Sequence, residues 1–160
     1  MPGDESAEGL ATAIYGTILS TSLITAYSED PGSDPLQVAV AVFVAAVVFW
    51  LAHAYADVLA RGLLVRGSGG MARVRSELAR EWPLVTGATV PLLPLLLAPL
   101  GVLSDDSAES VAIGAGIGVL TAVGVSIAWR RRSGLIGLAM AAAASALFGA
   151  LVVLLKVLVH

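Results

Sequence analysis

LQVAVAVFVAAVVFWLAHAYADVL, residues 36–59, decides the fold. The run follows Asp34 and Pro35, a plausible helix cap and first turn, and continues through Val38, Val42, Phe49 and Trp50 towards Leu59. A helix needs roughly 20 apolar residues, at about 1.5 Å of rise each, to cross roughly 30 Å of hydrocarbon. This run is the clearest membrane span in the chain.

The remainder of the sequence agrees with hydrocarbon as the solvent. Its 160 residues are 58% hydrophobic and only 13% charged, with a mean hydropathy of +0.90. A water-soluble core could not hide so much apolar surface. Charges collect between long uncharged runs where a soluble amphipathic helix would alternate them. The absence of cysteine rules out disulfides, thiolate metal sites and cysteine nucleophiles.

Outward from residues 36–59, four further runs qualify as spans. The first, 9–27, carries Thr12, Thr17, Ser20, Thr21, Ser22 and Thr25, too polar for lipid on every side, so it is expected inside the bundle. Asp4, Glu5 and Glu8 stand where a secretory signal needs positive charge, and the run is read as a retained span. The third, 84–103, contains Pro91, Pro94 and Pro99 and must be kinked or broken. The fourth, 111–129, and the fifth, 135–158, hold no ionisable residue at mid-depth.

Between the second and third spans, Gly67, Ser68, Gly69 and Gly70 break the helix. A short segment over 71–82 then places Met71, Val74, Leu78 and Trp82 on one helical stripe, with Arg73, Arg75, Glu77, Arg80 and Glu81 on the other face. It reads as an interfacial helix anchored by Trp82, or more plainly as a cytosolic loop helix. The expected fold is therefore all-α: a polytopic transmembrane helical bundle of about five spans plus a short interfacial amphipathic helix, forming one domain over 1–160.

Orientation follows from the basic residues. All eight arginines fall between spans two and three or four and five, the latter group being Arg130, Arg131 and Arg132. The other two loops hold Glu29, Asp30 and Asp34, then Asp105, Asp106 and Glu109. Insertion keeps basic loops in the cytoplasm, so the N-terminus is expected inside and the C-terminus outside a bacterial plasma membrane, with Lys156 snorkelling at the outer end. Arginines placed at span ends form no nucleic-acid-binding domain.

Chemistry concentrates in Trp50, His53, Tyr55 and Asp57. His53 and Asp57 are four apart on one helix face, with Trp50 one turn earlier. Ionisable groups within hydrocarbon cost about 2.5–3.5 kcal/mol on insertion scales and often serve a function. Counted inward, Tyr15 lies near the level of His53, so a polar interior of Tyr15, His53 and Asp57 with the span-one hydroxyls is one reading. The other pairs Asp57 with Arg61 at the headgroups and treats the hydroxyls as interhelical glue. Gly114, Gly116 and Gly118 lack the strand and lysine of a phosphate loop and read as a packing surface; Gly114 and Gly118 form GxxxG, which favours close helix contact within the chain or between subunits. Asp106 or Ser107 is placed to cap span four. No catalytic motif is present, and His53 with His160 is too few for a histidine-rich metal site. No cofactor is implied.

At Ala13, Ile14, Tyr15, Gly16, Thr17, Ile18 and Leu19, and again over 48–59, the chain resembles small uncharacterised integral membrane proteins of actinobacteria. The resemblance covers roughly the first 66 residues, including Tyr15, Trp50, His53, Tyr55 and Asp57, and implies no activity. The functional expectation is an oligomeric channel-like or transport protein for protons, ions or a small polar solute. The alternative is a structural or regulatory membrane subunit that binds a partner protein or anionic lipid; a membrane enzyme ranks third.

Overall fold

The computed structural model describes residues 2–27, 32–60 and 70–130, together with isolated positions 137, 139, 140, 143 and 147. The described residues form α1 (Pro2–Tyr27), α2 (Pro35–Ala60), α3 (Gly70–Glu81), α4 (Pro83–Leu92), a 3₁₀ turn (Leu95–Leu97) and α5 (Asp105–Arg130), with no strand among them. Apart from those isolated positions, the expected span 135–158 lies outside the described residues, as do Arg61, Arg66, Arg131, Arg132, Lys156 and His160.

Three helical segments are long and apolar enough to cross a membrane: Ala7–Tyr27, Pro35–Ala60 and Asp105–Trp129. Asp34 caps α2, its Oδ1 accepting the Leu36 N–H at 2.9 Å, with Pro35 at the first helical position. The start of α5 differs from expectation. Asp106 and Ser107 lie inside the helix; the preceding residue is Ser104, whose carbonyl accepts the Ala108 N–H at 2.8 Å. Asp105 and Asp106 then sit in the first turn, where the helix dipole favours acids.

The segment expected as a third continuous span is broken, and prolines explain how. Pro91, Pro94 and Pro99 each lack the N–H that would serve the carbonyl four residues back, at Gly87, Val90 and Leu95. Leu93 N–H turns to Val90 O at 3.3 Å and Ala98 N–H to Leu95 O at 3.4 Å, tightening the chain into 3₁₀ geometry. Gly101, at φ 70°, ends the segment. The Gly87 carbonyl, deeper in the bundle, instead accepts a hydrogen bond from the Thr17 hydroxyl of α1 at 3.0 Å.

That bond requires α1 and α4 to touch, and small residues permit it. A Cβ added to Gly16 would collide with the Leu84 carbonyl, and one on Gly87 with the Ala13 carbonyl. The two helices run parallel, Gly9 opposite Pro83 and Ala13 opposite Gly87, in the most extensive helix contact among the described elements. In α5 the intimate position is Gly116, against Thr21. Gly114 and Gly118, expected to pack closely, would meet nothing within 4 Å among the described residues. At about 100° per residue Gly116 faces roughly opposite to them, so one glycine face of α5 packs on α1 and the other meets none of the described residues.

Ile24, Val38, Val42, Leu92, Leu95 and Ala112 bury one another at one end of the bundle. There the Ser33 hydroxyl donates to Glu109 Oε1 at 3.2 Å, joining the turn before α2 to the start of α5. A smaller cluster of Ala46, Leu84 and Ala88 packs against Trp50 towards the other end. Much of the apolar side-chain surface faces outward, including Val40, Val44, Val48 and Leu51 along α2. Such a surface is compatible with a bilayer as solvent.

Replacing Gly87 with leucine is expected to abolish a monodisperse detergent-solubilised protein, whereas Gly9→Ala, with only an ordinary contact to Pro83, is expected to be tolerated. Thr17→Val should cost about 1 kcal/mol in reversible mixed-micelle unfolding, and Thr17→Ser should recover most of it, because only the hydroxyl serves Gly87.

Candidate functional site

Helix α2 divides its polar residues between two neighbours, α3 and α1. Trp50 reaches α3: its Nε1 donates to the Leu78 carbonyl at 2.9 Å. That carbonyl is open because Trp82 N–H bonds Ala79 O at 3.4 Å in place of the helical partner, immediately before Pro83 begins α4. The indole therefore caps the C-terminal end of α3 from a neighbouring helix. Its ring meets Trp82 edge-to-face, with centroids 5.2 Å apart and planes at 81°.

One turn on, His53 lies against Tyr15 of α1, ring centroids 5.6 Å apart and tilted by 45°. Equal depth in the sequence thus corresponds to contact in space. Both side chains remain substantially exposed on the flank of the bundle, Tyr15 at 41%. The hydroxyl stripe of α1 does not join them. Thr17, Ser20, Thr21 and Thr25 are buried, and each donates to a carbonyl of its own helix. The stripe faces α4 and α5; Thr17 lies about 200° around the helix from Tyr15 and cannot share its partner.

Asp57, two turns beyond Trp50 on the same face, returns to α3 and pairs with Arg80. The guanidinium also contacts Glu8 of α1 at 3.3 Å, Glu77 at 3.1 Å and Glu81 at 3.6 Å. One cation thus gathers four carboxylates from three helices. Glu77 and Glu81 are each only 8% exposed, and Asp57 and Glu77 are each engaged in a further interaction. Among the described residues no group of His, Asp or Glu has the arrangement to hold a metal ion.

This hub rotates α3 relative to the sequence expectation. The pattern places Glu77, Arg80 and Glu81 on the water-facing side of an interfacial helix; in the structure Arg80 pairs with Glu8 of α1 and Asp57 of α2, and Glu77 and Glu81 are buried around Arg80. Met71, Arg75 and Trp82 are exposed, Met71 at 83%. Tyr55 is 62% exposed beside a groove between α2 and α3. The side chains of Arg73 and Arg130 lie outside the described set.

Three contributors were missed by sequence reasoning. Gly16 and Gly87 were overlooked, although Gly9, Ala13, Thr17, Thr21 and Thr25 recur every fourth position, the spacing of a close helix contact. Glu8 was treated only as a flanking charge, although α1 begins at the end of the bundle where Asp57 and Arg80 meet. Comparison with known proteins adds no relative: no family model matches the chain, and no curated protein or solved structure does.

Arg80→Gln is expected to lower stability by about 2 kcal/mol, below the range for a fully buried pair because the side chain is 30% exposed. A double-mutant cycle with Asp57→Asn should give clearly non-additive melting shifts in detergent, since both changes remove the same contact.

Proposed function

We propose that the protein is a multi-pass bacterial plasma-membrane subunit of structural or regulatory kind that holds a basic helix, α3, against the anionic inner leaflet. The observation that carries this reading is the Arg80 hub, which draws the acids of α3 inward and leaves Met71, Arg75 and Trp82 outward. An apolar and aromatic edge with an exposed arginine suits the headgroup boundary, where each basic residue is attracted by about 1 kcal/mol.

The proposed topology has five crossings, N-terminus inside and C-terminus outside, with the broken α4 segment as the third and residues 135–158 as the fifth. Two ties support alternation of the described segments. Arg80 joins the start of α1, the end of α2 and α3 at one end; Ser33 joins the turn before α2 to the start of α5 at the other. Arg75 and Arg80 of α3 belong to the first end, in support of a cytoplasmic location.

The chain has no cysteine, so single cysteines report position cleanly. In intact cells an impermeant maleimide should label Ser107→Cys and spare Ala72→Cys until the membrane is opened; the reverse pattern overturns the orientation. A spin label at Met71→Cys should sit deeper in liposomes containing anionic lipid than in zwitterionic ones, and should rise with salt. A label in bulk water under every lipid composition rejects the leaflet reading.

A transport or channel reading is favoured by one observation, the Tyr15–His53 contact on the exposed flank. The described residues do not wrap this pair, and a pathway there would run between copies of the chain. Liposome flux of protons or ions that His53→Ala alters supports it; silence under all gradients and voltages removes it.

A further inference from the structure

An apolar groove of about 350 Å³ runs between α2 and α3, lined by Leu51, Ala54, Tyr55, Val58, Val74 and Leu78. We propose that this groove is a binding site for one anionic phospholipid, an acyl chain lying between the two helices and the headgroup on Arg75. The inference rests on the inner-leaflet reading of α3 and adds to it a discrete, stoichiometric ligand.

Four features support a built site over general lipid contact. The groove occupies α2 from residue 51 to 58, beginning one residue beyond Trp50 and extending about 10 Å towards the helix end. The Trp50–Trp82 pair lies beside its inner end. A chain entering at the Val58 end, nearer the helix terminus and the headgroups, passes about 10 Å inward to the level of Trp50.

The second feature is rigidity. The groove walls come from two helices locked together by the Trp50–Leu78 hydrogen bond and the Arg80–Asp57 pair. A preformed cleft avoids the ordering cost that a flexible surface incurs on binding, and its volume falls within the roughly 300–1,000 Å³ of small-ligand sites. Third, the lining is apolar but for the Tyr55 phenol, so it suits a hydrocarbon tail and offers little to a polar solute.

The fourth is charge. On the α3 wheel Arg75 lies about 60° from Leu78, at the groove's edge, and about 160° from Glu77. Glu77 and Glu81 are turned to Arg80, so the acids of α3 point away from the edge that Arg75 occupies. A phosphodiester there meets a cation, with the acids of the same helix drawn to its other side.

The test is native mass spectrometry of the full chain released from mild detergent, after delipidation and exposure to equal amounts of anionic and zwitterionic phospholipid. One retained phospholipid is expected, with the anionic species favoured at least five-fold. Arg75→Gln, a surface change that leaves the bundle intact, should bring the ratio near parity. Val74→Trp should halve occupancy or more by filling the groove; unchanged helical circular dichroism and melting confirm that it folds. No retained lipid, retention without headgroup preference, or equal binding by both variants overturns the proposal, as does recovery of a protein ligand occupying the groove. A water-exposed Met71 label together with a retained anionic lipid rejects leaflet docking alone; a deep label without retained lipid rejects only the discrete site.

Discussion

In hydrocarbon a carbonyl without a donor has no water to turn to, and Pro91 leaves α4 with such a carbonyl at Gly87. The Thr17 hydroxyl supplies the proton from α1. Several other features follow from that requirement. The donor reaches only if the two backbones touch, which dictates glycine at 16 and 87 and alanine at 13 and 88. Parallel α1 and α4 then form the stem on which α2 and α5 pack. Thr17 Oγ1 also lies 3.0 Å from its own Ala13 carbonyl, so one proton is shared between an intrahelical and an interhelical acceptor. Membrane helices commonly hold Ser and Thr in the intrahelical form; here the proline gives the second acceptor a need of its own.

Electrostatics at the other level of the bundle follow the same economy. Four carboxylates on three helices would repel one another; a single guanidinium, with a planar fork of donors, lets them converge. Lysine, a point charge with three donors on one nitrogen, does not reproduce the spread. The consequence for α3 is that Glu77, Arg80 and Glu81 face protein while Met71, Arg75 and Trp82 face out, an edge that is coherent where the surroundings are a lipid boundary.

Sequence periodicity read α2 well because the evidence there is redundant: a long uncharged run, a capping Asp34 and a Pro35 at the first helical position. The break in the third segment was legible for a similar reason, since proline acts locally. Which face of a helix meets which neighbour was not legible. Depth counting brought Tyr15 to His53, because depth depends on rise alone. It failed to keep Thr17 from the same partner, since rotation at about 100° per residue separates the two side chains. The glycine pattern marked α5 for packing, and its GxxxG spacing singled out Gly114 and Gly118, whereas the close contact is at Gly116, which only a neighbour's position distinguishes.

The same rotational logic bears on function. A polar path through one protomer needs unspent hydrogen-bonding groups aligned across several levels, and the α1 hydroxyls spend theirs on backbone carbonyls. Asp57 is drawn to Arg80, while His53 and Tyr15 remain on the flank. The polar residues of α2 therefore diverge, Trp50 and Asp57 to α3 and His53 to α1. Divergent side chains bind helices together; convergent ones make a conduit. The pattern favours a protein whose ionisable groups build and orient one end of the bundle, with any conduit requiring a second copy to bring such groups face to face.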